Sequence, residues 1–264
     1  MINSLKIIIP VHEFNKEVGL LLERAVNSVP KDYTITISCK NGLTEKISKA
    51  IEKCENNVEY VETADKKSAT DFCSLVNQAV GGTDWFSILE FDDEYTNIWF
   101  KNAEEYMEYK PEVSIFMPME DVINYEDEKF LNFGNEAAWA SSFSNEIGYI
   151  DNDCLQQFFD FYVTGSIFNT KDWETFGGLK PSLKVSFWYE FLLRMTHNGK
   201  KVFVIPKIGY KHYVNRPKSL YITYRDTMSE KESTWYFDTA KTEYFFKEDR
   251  NKTYQAEDSK EEGE

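Results

Sequence analysis

The sequence predicts an α/β fold built on a parallel β-sheet with helices on both faces. Three observations predict it. The first ninety residues alternate short apolar runs with amphipathic stretches in the order β-α-β-α-β-α-β. The first run, Lys6-Ile7-Ile8-Ile9-Pro10-Val11, is almost continuously apolar, as a strand covered on both faces must be. The fourth run, Trp85 to Leu89, ends in four carboxylates: Glu90, Asp92, Asp93 and Glu94. Open α/β sheets build their sites at the carboxyl ends of strands.

Each element has its own signal. After the first strand, Val18, Leu21, Leu22, Ala25, Val26 and Val29 share one face of a 3.6-residue period, and Pro30 stops that helix. Thr34 to Ser38 reads as the second strand, followed by an Asn41-Gly42 turn. Ile47, Ala50, Ile51 and Cys54 stripe a second helix, and Val58 to Val61 reads as the third strand. Ser68 is the expected cap of a third helix that buries Phe72, Cys73, Val76 and Ala79 and ends at Gly81-Gly82. Beyond the acidic corner, Trp99, Ala103, Tyr106 and Met107 predict a helix, and Val113 to Met117 a strand. Residues 120–152 are aperiodic and read as a long surface insertion. A short helix is expected near Thr170 and a strong one from Ser186 to Asn198. Lys201 to Ile205 should be a strand closed by Pro206, and Ser229 to Phe246 a C-terminal helix. From Lys247 the chain is charged and poor in apolar residues, as a disordered tail is.

Composition excludes several function classes. The formal net charge of -15 repels phosphate backbones, which argues against nucleic-acid binding through a basic face. Cys39, Cys54, Cys73 and Cys154 show neither CxxC nor Cys/His spacing, so neither a zinc site nor a disulfide framework is expected. No run reaches membrane-span length and the first ten residues lack a signal-peptide core, so a soluble cytoplasmic protein is expected. No Gly-x-Ser-x-Gly elbow or glycine-rich phosphate loop is present. Aromatics make up 16% of the chain, enough to supply sugar platforms or partner surfaces as well as core.

The acidic corner carries the chemistry. Glu90 and Asp92 are two residues apart, so on an extended chain they point the same way. Two hard oxygen ligands at a strand end suit Mg²⁺ or Mn²⁺ carrying a phosphate. A solvated acidic turn after a core strand is the plainer alternative.

The order of motifs over residues 5 to 219 resembles the inverting, nucleotide-sugar-dependent glycosyltransferases of family 2, which have the GT-A fold. Lys6 to His12 resembles their opening strand, and Glu90-Phe91-Asp92-Asp93 stands where the family keeps its metal-binding Asp-x-Asp. Thr164-Gly165-Ser166-Ile167-Phe168 with Glu174 to Leu179 resembles the acceptor-side segment. Tyr189 to Met195 resembles the helix after the catalytic acid, and His212 with Arg216-Pro217-Lys218-Ser219 the closing element. The resemblance implies a three-layer GT-A-like domain over residues 1–219 whose first half is Rossmann-like. Its nucleotide-sugar half would be about 1–119 and its acceptor half about 153–219, with a helical extension and acidic tail over 220–264. It implies Mn²⁺ or Mg²⁺ held by Glu90, Asp92 and His212. It also implies donor contacts from Pro10, His12, Lys40, Asp92, Asp93 and Gly165, with a glycan, lipid or protein as acceptor. His212 also has an ordinary reading, as a strand-end histidine between Tyr210 and Tyr213.

Two departures from the family pattern leave a second reading open, a catalytically degenerate binding or structural module. The turn after the second strand, Ser38-Cys39-Lys40-Asn41-Gly42, lacks the acids that meet the nucleotide base in the family. Phe187 and Trp188 stand where the family has its catalytic Glu-Asp pair, and neither accepts a proton. A base would then be Glu190, on a shifted helix register, or Asp172, or a residue of the acidic insertion. Two helical residues rotate the chain by about 200°, so Glu190 faces away from Trp188, and Arg194 at i+4 is a ready partner for it.

Overall fold

The computed structural model describes residues 2, 4–64, 71–141, 143 and 146–244. Its strands are β1 (Leu5–Val11), β2 (Thr34–Cys39), β3 (Val58–Glu62), β4 (Trp85–Ile88), β5 (Glu94–Tyr95), β6 (Val113–Asn124), β7 (Phe130–Gly134), β8 (Tyr149–Ile150), β9 (Ile167–Asn169) and β10 (Lys201–Val214). Its helices are α1 (Lys16–Ser28), α2 (Thr44–Ala50), α3 (Phe72–Ala79), α4 (Trp99–Tyr109), α5 (Asn152–Gln157), α6 (Thr170–Phe176), α7 (Phe187–His197), α8 (Leu220–Thr227) and α9 (residues 230–244). Among the described residues no helix is long and apolar enough to cross a membrane.

The strands make one mixed, mostly parallel sheet in the order β3-β2-β1-β4-β9-β6-β10-β5, with β7 on β6 and β8 on β10. β1 lies parallel to β2 and β4, and β6 parallel to β10. β9 runs antiparallel between β4 and β6. Its first residue, Ile167, therefore lies beside Ser87 near the carboxyl end of β4 and beside Phe116 in the first half of β6.

Both faces are covered because the strands are apolar on both. Ile7, Ile9 and Val11 enter a core packed by α1, α2 and α4; Ile8, Phe86 and Ile88 enter a second core packed by α3, α6 and α7. Asn15 and Asp71 cap α1 and α3 through side chains that accept from Val18 and Ser74 amides. Asp71 is thus the cap of the third helix; the Ser68 expectation lies outside the described residues. The expected tail from Lys247 also lies outside them.

Two boundaries differ from the sequence reading. β6 does not stop near Met117 but runs to Asn124 and pairs with β7, so the expected insertion contains a hairpin, a 3-10 turn at Glu136–Trp139, β8 and the start of α5. β10 passes through Pro206, because register shifts between Ile205 and Tyr210 take the proline out of the ladder. Ser186 stands at the N-cap position of α7, as the helix expected from it requires, but its buried hydroxyl donates to the Tyr236 carbonyl instead of accepting from a helix amide, tying α9 to α7.

Candidate functional site

The acidic corner sits where β4 leaves the centre of the sheet. Glu90 to Asp93 form a turn, and the chain returns as β5 against β10. Fully buried Tyr210 holds this turn from below, its hydroxyl accepting from the Glu90 amide at 3.1 Å. Tyr210 fits because Gly165 lies against its ring. A Cβ at Gly165 would fall 2.4 Å from that ring, and Gly165 has φ +78°, a conformation natural to glycine. The Gly165 amide donates to the Ile88 carbonyl at 2.8 Å, fixing the β9 entry loop to the end of β4.

Three of the corner's carboxylates have cations beside them. Arg216 donates from Nε to Asp92 Oδ2 at 2.5 Å, approaches Glu13 at 3.3 Å, and lies over the Phe91 ring. His212 Nδ1 is 2.8 Å from Asp93 Oδ2, and the Tyr213 amide donates to Asp93 Oδ1 at 2.8 Å. Arg24 of α1 lies 3.2 Å from Glu94 Oε1 and donates to the Asp92 carbonyl. Burial alone would push the His212 pKa down. Asp93 outweighs it, with Glu120 and Glu90 beyond, and raises it to about 10, so the ring is an imidazolium.

Glu90 and Glu120 are the exceptions. Among the described residues, both Glu120 carboxylate oxygens are buried without a hydrogen-bond partner, and the positive charge acting on the two acids comes from His212, with Arg216 also on Glu90. Burial, then Asp93 and Asp92, push Glu90 up to about 8. Glu120, on β6, is fully buried, and burial holds its pKa well above the usual carboxylate range. Sequence reading missed Glu120 because it placed this residue at the start of an insertion. The strand continues there because β6 pairs with β7 and β10, which no local pattern of residue types announces.

The same edge receives the other residues expected at the donor site. Pro10 is buried in β1 beside Ser38. His12 follows β1 with its ring 5.2 Å from Phe91; burial, then the Arg216 charge, bring its pKa down to about 4, so it is neutral. Lys40 is exposed at the end of β2.

The residues considered as a base lie elsewhere. Asp172 is in α6, which follows β9 at the opposite edge of the sheet, and pairs with Lys200 at 2.7 Å. Glu190 is fully buried in α7. Arg194 grips it in a fork, Nε to Oε1 at 2.9 Å and Nη2 to Oε2 at 2.8 Å. Lys180 and the Tyr244 hydroxyl take Oε1 at 2.9 and 2.7 Å. The same guanidinium binds the Phe176 and Gly178 carbonyls, so Glu190 anchors a turn and α9. Phe187 and Trp188 pack into the second core, Trp188 stacked on Phe168. Among the described residues no set of three or more His, Cys, Asp or Glu side chains is gathered as metal ligands.

No protein-family model and no curated protein sequence matches the chain. Solved structures do. Staphylococcus aureus TarS 1-349 in complex with UDP-GlcNAc is similar with a TM-score of 0.59 at 12% identity, over 91% of this chain and 66% of that one. The mannosyltransferase PcManGT from Pyrobaculum calidifontis, in complex with GDP-Man and Mn²⁺, is similar with a TM-score of 0.57 at 14% identity, over 84% and 60%. The fold is thus a GT-A-like glycosyltransferase fold. This chain spans about three fifths to two thirds of the length of these structures.

Proposed function

We propose that the chain is an inverting glycosyltransferase that takes its sugar from a nucleotide-sugar donor. One observation carries the reading: an acid-tipped central strand, Glu90 to Asp93, opens onto the carboxyl edge of a fold whose solved relatives hold UDP-GlcNAc and GDP-Man. In such a transfer the bond from the anomeric carbon to the diphosphate oxygen breaks. The acceptor oxygen bonds to that carbon from the opposite face, and its proton passes to a base.

This chain's residues suit the donor side. Arg216 and His212 place two positive charges beside the corner, where a leaving diphosphate gathers negative charge. His12, neutral and with a buried Nδ1 that lacks a described partner, is available to a donor hydroxyl or base. A hard divalent cation would add to these charges, since the corner offers only oxygen and imidazole donors, although among the described residues they are not gathered as a three-ligand set. Glu90 and Asp92 would hold it, and His212 would join them only after losing its extra proton. Such an ion would offset the charge of the departing diphosphate.

A second reading, a catalytically degenerate structural or binding module, is favoured by one observation. The places of the family's catalytic acids are occupied by Phe187 and Trp188, packed against the core. Thermal unfolding with UDP, GDP, CDP and dTDP, each with and without Mn²⁺, tests the donor site. One nucleotide should raise the Tm, and Asp92→Ala should abolish the rise. No response to any nucleotide would refute the transferase reading and favour the module. Release of nucleoside diphosphate from the matching sugar donor would separate transfer from mere binding.

A further inference from the structure

The edge of the sheet opposite the donor corner carries an open cleft of about 560 Å³. It lies where β9 runs against β4, so that the carboxyl end of one strand, Asn169, meets the amino end of the other, Trp85. Backbone bonds join the segments that line it. Ser4 accepts from the Trp85 amide through its carbonyl at 3.0 Å and from the Asp84 amide through its hydroxyl at 2.9 Å. The Asp84 carbonyl in turn accepts from the Thr170 amide at 2.9 Å. Gly81 and Gly82, with φ +113° and +79°, turn the chain into β4, and Lys6 holds that turn by donating to the Ala79 and Gly81 carbonyls. Glu174 of α6 comes up to the turn because Gly81 has no side chain: a Cβ there would lie 3.3 Å from Glu174 Oε1.

The lining holds polar groups that the fold leaves unused. Asp84, Lys171 and Glu174 are exposed, and none has an ion partner among the described residues. Thr170 also lines the cleft and is only 5% exposed, yet its buried Oγ1 has no hydrogen-bond partner among the described residues. Buried hydroxyls are normally paired, so one left open beside a cleft is there for what the cleft holds. Asn169 uses its Oδ1 on the Asp172 amide, which leaves its NH₂ as a donor. Two carboxylates accept from hydroxyls, an ammonium and an amide donate to hydroxyl or ring oxygens, and a threonine does either. Two acids against one lysine, in a chain of net charge -15, repel an anionic ligand such as a nucleoside diphosphate. Trp85 adds an aromatic surface beside these polar groups, as an amphipathic ligand needs. The volume lies within the range of about 300–1,000 Å³ found for small-molecule sites. We propose that this cleft binds a neutral sugar residue, on the side of the sheet away from the donor corner. Such a site holds a glycan by a unit that is not reacting, whether or not the corner transfers sugar.

The test uses free sugars and the full chain. Glucose, mannose and N-acetylglucosamine are titrated at millimolar concentration into isotope-labelled protein, and the amide chemical shifts are followed. At least one sugar should bind saturably, with shifts confined to residues 82–85 and 169–174. Glu174→Ala should raise its Kd at least about tenfold and Thr170→Val about threefold, the losses of a charged and of a neutral hydrogen bond. The dispersion of each spectrum shows whether the variant is folded, and Glu174→Ala, at an exposed position, decides the matter if Thr170→Val is not. Asp127→Asn, in the exposed β6–β7 turn, should leave the Kd unchanged. UDP added to the sugar-loaded protein should not reverse the shifts. No shift with any of the three sugars overturns the proposal. So do shifts that grow without saturating, shifts centred on residues 89–95 and 210–217, or wild-type affinity in Glu174→Ala. The donor-site reading stands or falls separately, on nucleotide binding.

Discussion

Replacing Glu190 with alanine should destabilise the protein strongly while leaving the donor site intact. Arg194 would lose its fork partner but stay buried, because its guanidinium also spans the Phe176 and Gly178 carbonyls. Removing one member of a buried pair costs about 3–5 kcal/mol. Lys180 is about a third exposed and can turn to water, so its arm adds less than about 1 kcal/mol. The Tyr244 hydroxyl loses its acceptor, which loosens α9. At about 2–4 °C per kcal/mol for a domain of this size, a loss of about 3–5 kcal/mol lowers the Tm by about 6–20 °C. The effect has a pH signature. Burial pushes the Glu190 pKa up, but bonds and charge from Arg194, Lys180 and Tyr244 outweigh it and hold the pKa below 4.5. A depressed carboxylate contributes stability above its unfolded pKa and loses it as pH falls through the folded value. The gap between wild type and variant should therefore be full at pH 7 and shrink below about pH 4. Urea unfolding at pH 7 and at pH 3 measures both. A variant within about 1 kcal/mol of wild type at pH 7 would refute the structural role. Loss of activity without loss of stability would return Glu190 to the list of bases.

Gly165→Ala should cost about 2–5 kcal/mol in urea unfolding, from a left-handed alanine and the clash with Tyr210; an unchanged midpoint would mean that the ring is free to move. Asp172→Asn should cost no more than about 1 kcal/mol and leave the nucleotide-induced Tm rise intact, because its pair with Lys200 lies at the other edge of the sheet. Thiol titration of the native protein should find Cys54 the most reactive. Cys39, Cys73 and Cys154 are buried, and burial pushes all three thiols up, Cys154 to about 12. Four thiols should appear in denaturant.

The first half of the fold was legible because its signals are local. Ile7 to Ile9 announce a strand covered on two sides, and the α1 stripe repeats at 3.6 residues. The acid-tipped end of β4 could be read as a site for the same reason. What escaped depends on partners distant in sequence. The antiparallel insertion of β9 follows from pairing with Trp85 to Ser87 and Ile115 to Phe116, which no local pattern encodes. Pro206 looked like a strand end because only the register of β10 against β6 reveals the bulge that absorbs it. Glu120 looked like part of a solvated loop because its burial is made by Gly134, Asn135 and Tyr162. The pairing of Asp92 with Arg216, 124 positions away, could not be read from spacing either. It alters the electrostatics of a corner whose residue types alone suggested free metal ligands.

The central claim is that the carboxyl edge of β4 is a donor site. Hydrogen–deuterium exchange with and without the stabilising nucleoside diphosphate and Mn²⁺ tests it most directly. Slower exchange confined to residues 89–95 and 210–217, with residues 11–13 beside them, is the expected result. Unchanged exchange there, or protection centred on the opposite edge at residues 82–84 and 169–174, would contradict the account.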